Sequence, residues 1–150
     1  MKRRSARIVA IQSLYIMEMN QVTPEEALQT IIAEAKQDNE CETDTSELDA
    51  LILYVRNLFH EWIPVLENID PLLTTYLQGW EVDRLSKVDR IVLRLAVFEM
   101  LYRTDIPPKV AVNEAIEIAK YFGTEESGKF VNGVLGKMIQ HIDELKKIVT

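Results

Sequence analysis

Apolar residues recur along this chain three or four positions apart, the spacing of one helix face, and strand-like alternation is almost absent. The first apolar stripe predicts a helix over residues 4–20. A second helix should begin at Thr23, because Thr23 can cap it, Pro24 suits its first position and Glu26 completes a capping box. We expect this helix to end near Lys36.

The middle of the chain alternates between polar breaks and helical stretches. Residues 38–46 contain almost no core-forming side chains and predict a surface loop. A third helix should start near Ser46 and break at Pro64, because an interior proline loses a backbone hydrogen bond. A further helix should run to about residue 78, where Gly79 supplies a C-terminal stop.

The second half of the chain has clear helix boundaries. Ser86 is a plausible N-cap, and the apolar segment that continues to Tyr102 predicts the central, most buried helix. A helix over residues 108–122 should stop at Gly123, and Thr124 should cap the last helix. The pattern therefore predicts an all-α fold of about seven helices.

The composition is that of a folded protein. The chain has 150 residues, 47% of them hydrophobic and 27% charged, which predicts one compact domain or two small packed lobes. One cysteine allows no internal disulfide and fits a reducing compartment. The longest apolar stretch, Ile91 to Tyr102, is too short to span a bilayer, and the N-terminus lacks a signal-peptide core. We expect a soluble cytoplasmic protein.

The charge is distributed unevenly. The net charge is −7, yet residues 1–10 carry four basic side chains and no acid, whereas residues 18–49 carry ten acids and one lysine. A basic end on an acidic body predicts a local anion-binding site. The alternative is a frayed, solvated tail.

Residues suited to catalysis or metal binding are sparse. His60 and His141 lie on different predicted helices, and Cys41 lies in an acidic loop that opposes thiolate formation. Neither a Walker-type phosphate loop nor a dinucleotide-binding glycine motif occurs. We therefore expect no enzymatic activity, no metal and no cofactor.

Two local features fit nucleic-acid binding. Arg3, Arg4 and Arg7 fall on one arc of the first helix, where guanidinium groups can bind successive phosphates. In the glycine-rich segment 128–136, aromatic, cationic and amide side chains offer stacking, phosphate contact and base reading. These side chains are, in that order, Phe130, Lys129 and Asn132. The alternative is that this segment is core and its glycines only allow tight helix packing.

The chain resembles the NusB family of bacterial transcription antitermination factors. The resemblance rests on Arg3-Arg4-Ser5-Ala6-Arg7 leading into Leu14-Tyr15, and on the block VLRLAVFEMLYRTDIPPKVAVNEAIEIAKYFGTEESGKFVNGVL at residues 92–135. It implies a single NusB-like domain of two helical bundles, with an N-terminal lobe of about 1–78 and a C-terminal lobe of about 79–150.

The resemblance also implies partners and a mode of action. Family members pair with the ribosomal small-subunit protein that doubles as NusE, and the pair binds the boxA element of ribosomal RNA leaders. The other Nus factors and RNA polymerase are then engaged indirectly. No reaction is catalysed and no membrane is involved.

Individual residues match family positions. The RNA-binding positions correspond here to Arg3, Arg4, Arg7, Tyr76, Glu126, Phe130 and Asn132, and Lys129 lies among them. Asp89 matches an acidic position on the face that receives NusE, and Glu81 and Asp83 extend that face. Arg94 and Glu99 are interpreted as structural, because they lie on the most buried helix and need partners there.

Two other hypotheses stay open at this point. NusB-like domains also occur at the N-terminus of ribosomal RNA cytosine methyltransferases, where such a module presents RNA. No catalytic segment is seen before the end at Thr150, and a gene that continues further would favour that alternative. A homodimer that hides the RNA surface until the partner arrives is the other hypothesis.

Overall fold

The computed structural model describes residues 3–38, 45–77, 79 and 84–149. Every regular element in these ranges is helical, which confirms the predicted all-α class. The chain divides into two units, Met1–Ile63 and Pro64–Thr150. None of the helices described is long and apolar enough to cross a membrane.

The first unit contains three helices, α1 (Arg3–Asn20), α2 (Pro24–Asp38) and α3 (Thr45–Trp62). Helix α1 packs against both α2 and α3. The Glu26 N–H donates to Thr23 Oγ1 at 3.2 Å, which confirms the predicted cap of α2. The core of this unit consists of Ala6, Ala10, Ile11, Leu14, Ala27, Leu28, Ile32, Val55, Leu58, Phe59 and Trp62.

The second unit begins at the predicted break, where Ile63–Val65 form a short 3-10 turn around Pro64. Five helices follow, and α5 packs against each of the other four. They are α4 (Leu66–Tyr76), α5 (Lys87–Tyr102), α6 (Pro108–Phe122), α7 (Glu125–Gln140) and α8 (Ile142–Val149).

Helix α5 is the buried centre of the second unit, as its apolar sequence predicted. All its residues from Ile91 to Leu101 are buried except Arg94, and even Glu99 is only 4% exposed. The Ser86 hydroxyl accepts the Asp89 N–H at 3.1 Å and caps the helix. The expected structural role of Arg94 is confirmed by its paired hydrogen bonds to Asp70 on α4.

Two boundaries differ from the sequence-based expectation. The units divide between Ile63 and Pro64 and not near residue 78, because α4 packs against α5 and α7. The predicted last helix is divided at His141, whose N–H donates to the Met138 carbonyl at 3.0 Å and tightens the end of α7. Gly79 follows α4 with a φ of +83°, the left-handed conformation expected of a glycine stop.

Candidate nucleic-acid interface

A pocket of about 210 Å³ lies in the second unit between the end of α4 and one face of α7. It brings together three residues that the sequence nominated for RNA binding, namely Tyr76, Lys129 and Phe130. The full lining is Tyr76, Leu77, Lys129, Phe130, Gly133, Val134 and Lys137. An aromatic wall beside cationic side chains is chemically suited to a base and its phosphates.

Tyr76 is positioned by its place in the last turn of α4. Its ring is half-buried and lies 6.1 Å from the His141 ring, centroid to centroid, with the planes tilted by 40°. His141 is the residue at which α7 ends, so the same break that separates α7 from α8 fixes the neighbour of Tyr76.

Glu126 and Lys129 form an exposed pair at the start of α7. The Glu126 carboxylate lies 3.5 Å from Lys129 Nζ, one helical turn away. Both side chains are more than 70% exposed, so water and salt screen their attraction. Thr124 caps this helix as predicted, accepting the Glu126 N–H at 3.2 Å. Glu126 therefore competes with any phosphate for the ammonium group of Lys129.

Asn132 is exposed on α7 but does not line the pocket. The structure thus brings Tyr76, Lys129 and Phe130 into one pocket, with Glu126 beside it, and leaves Asn132 on an adjacent face of the same helix.

Sequence reasoning did not nominate Lys137, and it noted Gly133 only as a glycine whose place in a helix a close approach of another helix or of a ligand would explain. Lys129, Gly133 and Lys137 follow each other at intervals of four along α7, which places them on one face. This spacing was visible in the sequence, but it indicates a pocket only because Tyr76 lies opposite this face of α7.

The basic residues near the N-terminus do not share one environment. Arg3 and Arg4 are exposed on α1, whereas Arg7 is only 4% exposed. Arg7 differs from the other two arginines because it is spaced three, four and seven residues from the buried Ala10, Ile11 and Leu14 and lies on their apolar stripe. Arg7 is therefore a buried residue of the first unit and not an exposed phosphate ligand.

Asp89 lies in the first turn of α5 and is half-buried. Burial raises the pKa of its carboxyl above the ordinary value of 3.8, while hydrogen bonds with the hydroxyls of Ser86 and Ser127 act in the opposite direction. Ser127 belongs to α7, so Asp89 links the starts of two helices. The other two acids predicted for the partner face, Glu81 and Asp83, lie outside the described residues, as does Cys41.

Within the described ranges, no group of three or more His, Cys, Asp or Glu side chains could hold a metal ion.

Comparisons with known proteins agree on one family. The model described as the NusB family matches residues 4–140. The transcription antitermination protein NusB of Myxococcus xanthus is 40% identical over 136 residues, which cover 91% of this chain and 93% of that protein.

Solved structures are similar over almost the full length. NusB of T. maritima has a TM-score of 0.69 and 38% identity, covering 98% of this chain and 92% of its own. A chain in the crystal structure of the antitermination factors NusB and NusE in complex with dsRNA has a TM-score of 0.70 and 25% identity. The match covers 97% of this chain and 96% of that one.

Proposed function

The chain belongs to the NusB family, and from that premise we propose that it is a transcription antitermination factor that acts by binding and not by catalysis. Its RNA ligand is the boxA element of ribosomal RNA leaders, and its protein partner is the NusE-type ribosomal small-subunit protein. In the cytoplasm, the pair helps to assemble the complex with the other Nus factors, and this complex prevents RNA polymerase from terminating early.

The pocket beside Tyr76 is the observation that carries this proposal. Single-stranded RNA is recognised by stacking its bases on aromatic rings and by neutralising its phosphates with cations. Tyr76 and Phe130 supply the rings, and Lys129 supplies a cation in the same pocket. The similar structure that holds NusB with NusE and dsRNA supports both classes of partner.

RNA binding is tested with labelled boxA RNA and a scrambled RNA of equal length, each titrated with the protein in the presence and absence of the NusE-type partner. Fluorescence anisotropy should show preferential binding of boxA that the partner strengthens. Equal affinity for both RNAs in the presence of the partner contradicts the proposal.

A matched pair of tyrosine variants tests whether the pocket is the site. Tyr76→Leu should weaken boxA binding about fivefold or more, the loss expected of one stacking contact. Tyr121→Leu is the control, because Tyr121 is 66% exposed and does not line the pocket. Equal affinities of the two variants would remove the pocket from the RNA path.

The homodimer that hides the RNA surface stays a prediction. Sedimentation velocity tests it directly. A dimer that dissociates when boxA RNA and the NusE-type partner are added supports it. A protein that sediments as a monomer at every concentration contradicts it.

A further inference from the structure

Gly133 is a glycine in the middle of α7 that no helix packing explains. Glycine is less favourable than alanine inside a helix, and packing accounts for it only where a neighbour occupies the space of the missing side chain. At Gly128 that neighbour is Lys120, whose Cγ would lie 2.7 Å from an added Cβ. At Gly133 no described atom lies within 4 Å of such a Cβ.

The space above Gly133 is the pocket itself. Gly133 lines it together with Tyr76, and Lys129 and Lys137 lie one turn to either side of the glycine on the same helix face. The bare backbone of a glycine allows a ligand to approach α7 closely, and the Tyr76 ring offers a second surface. The pocket is therefore a slot with a cation on each side of its floor.

From this arrangement we propose that Gly133 and Lys137 complete the RNA site as a seat for one unpaired nucleotide. The nucleotide lies against the backbone of α7 at Gly133, and Lys129 and Lys137 bind the phosphates on its two sides. This inference rests on the proposed function and adds to it two residues and a position for the RNA chain.

The charges around the slot favour a phosphate ligand. Lys129 has Glu126 as a screened, exposed neighbour, whereas no described acid lies within ion-pair distance of Lys137. Lysine ammonium groups bind phosphate by charge-assisted hydrogen bonds. A base within a duplex has both faces stacked on its neighbours, so the base that occupies this slot is unpaired.

Substitution of the glycine separates helix stability from RNA binding. In the complex with the NusE-type partner, Gly133→Ala should raise the melting temperature, since alanine favours the helix. It should weaken binding of boxA RNA about fivefold or more, because the methyl group occupies the floor of the slot. Gly136→Ala is the matched control, because it lies on the same helix outside the pocket and its Cβ would meet only Asn132 Oδ1, at 3.9 Å.

The outcomes distinguish this inference from the proposed function. Wild-type protein that binds boxA RNA while Gly133→Ala binds it equally well overturns the seat alone. Wild-type protein that does not bind boxA RNA with its partner overturns the proposed function and the seat together. A loss of affinity in Gly133→Ala but not in Gly136→Ala supports the seat.

A second readout tests the phosphate contact and identifies the nucleotide. Lys137→Ala should reduce the slope of log affinity against log salt by about 0.7, and the exposed Lys146→Ala on α8 should not. In boxA RNAs that each lack one base, loss of the base at one position should weaken binding to the wild-type protein. The same loss should not further weaken binding to Gly133→Ala. Abasic effects that are equal in both proteins at every position overturn the seat.

Discussion

Arg94 and Asp70 form a two-pronged pair that ties α5 to α4. Arg94 Nε donates to Asp70 Oδ1 at 2.8 Å, and Arg94 Nη2 donates to Oδ2 at 2.6 Å. The side chains are 12% and 33% exposed, so water screens this pair less than a surface pair. Tyr76 lies six residues beyond Asp70 on the same helix, about 1.7 turns away, so the pair ties to α5 the helix that carries Tyr76.

Asp70→Asn should therefore destabilise the protein. An amide cannot match the charge of Arg94 and offers one oxygen in place of two, for an expected loss of about 1.5–3 kcal/mol in the free energy of unfolding. Urea denaturation followed by circular dichroism measures it. Asp105→Asn is the control, because Asp105 holds Arg103 in the same geometry but is more exposed and lies two residues away in the chain. Its expected loss is below about 1 kcal/mol, and equal losses would contradict the role given to burial.

Substitutions of the α1 arginines should have different effects for the exposed and the buried side chains. Exposed Arg3 and Arg4, changed together to alanine, should leave stability within about 0.5 kcal/mol and reduce the salt slope of RNA binding by about 0.7 per phosphate contact. Arg7→Ala should instead lower the melting temperature, because it removes a buried side chain. Thermal unfolding and anisotropy at several salt concentrations measure both effects. An unchanged slope in the Arg3, Arg4 double variant would favour the alternative that these side chains are solvated and bind no phosphate.

The sequence was most informative where structure is decided locally. Thr23, Ser86 and Thr124 each accept an N–H two or three residues ahead, so a short stretch of sequence contains both partners of each cap. The break at His141 had no such local marker, since neither proline nor glycine stands there.

The candidate site was predictable only in part, for a related reason. Phe130 and Lys129 could be nominated from composition, and Tyr76 from resemblance. Lys137 and Gly133 line the pocket only because α4 packs against α7, a contact between segments far apart in the chain. The burial of Arg7 was not predicted, because its charge was given more weight than its position on the apolar stripe.

The Asp89 carboxyl should make stability depend on pH with a defined sign. Because burial raises its pKa above 3.8, the folded protein retains a proton that the unfolded chain has lost at pH values between 3.8 and the raised pKa. Stability from this group is complete below 3.8 and falls as pH rises through the folded pKa. The advantage of Asp89→Asn over wild type in unfolding free energy should thus be greater at neutral pH than below pH 3.8.

Glu25→Gln provides a control of opposite sign. The pKa of Glu25 is lowered from 4.5, first by its hydrogen bonds from Arg56 and then by Gln29. Its contribution is present above 4.5 and is lost as pH falls through the folded value. Denaturation at matched pH values that shows the same sign for Asp89→Asn and Glu25→Gln would contradict both assignments.

Partner binding should depend on the charge of Asp89. If the carboxylate meets a basic group of the NusE-type protein, Asp89→Lys places like charges together and should weaken the complex at least about tenfold. Because Asp89 also links Ser86 and Ser127, Asp89→Asn serves as the milder variant that keeps the size and one acceptor oxygen. Calorimetry that finds full affinity in both folded variants would leave Asp89 with a structural role alone.

We expect Glu126 to have opposing effects on stability and on RNA binding. Its charge in the first turn of α7 favours the helix by about 0.3–1 kcal/mol. The same carboxylate lies 3.5 Å from Lys129 Nζ, where it attracts a cation of the pocket beside Tyr76 and would repel a phosphate. Glu126→Gln keeps the size and removes the charge. We expect a slightly lower melting temperature together with tighter boxA binding, most clearly at low salt, where screening is weakest.

Glu125→Gln is the matched control for this prediction. Glu125 precedes Glu126 in the same first turn, but its carboxylate lies 3.8 Å from Lys120, which does not line the pocket. Both variants should lose similar helix stability, and only Glu126→Gln should gain RNA affinity in anisotropy titrations. Equal gains would reduce the effect to net charge, which acts at long range and on every acid alike. A loss of affinity in Glu126→Gln would mean that its carboxylate accepts a hydrogen bond from the RNA, and the path of the RNA over α7 would have to include it.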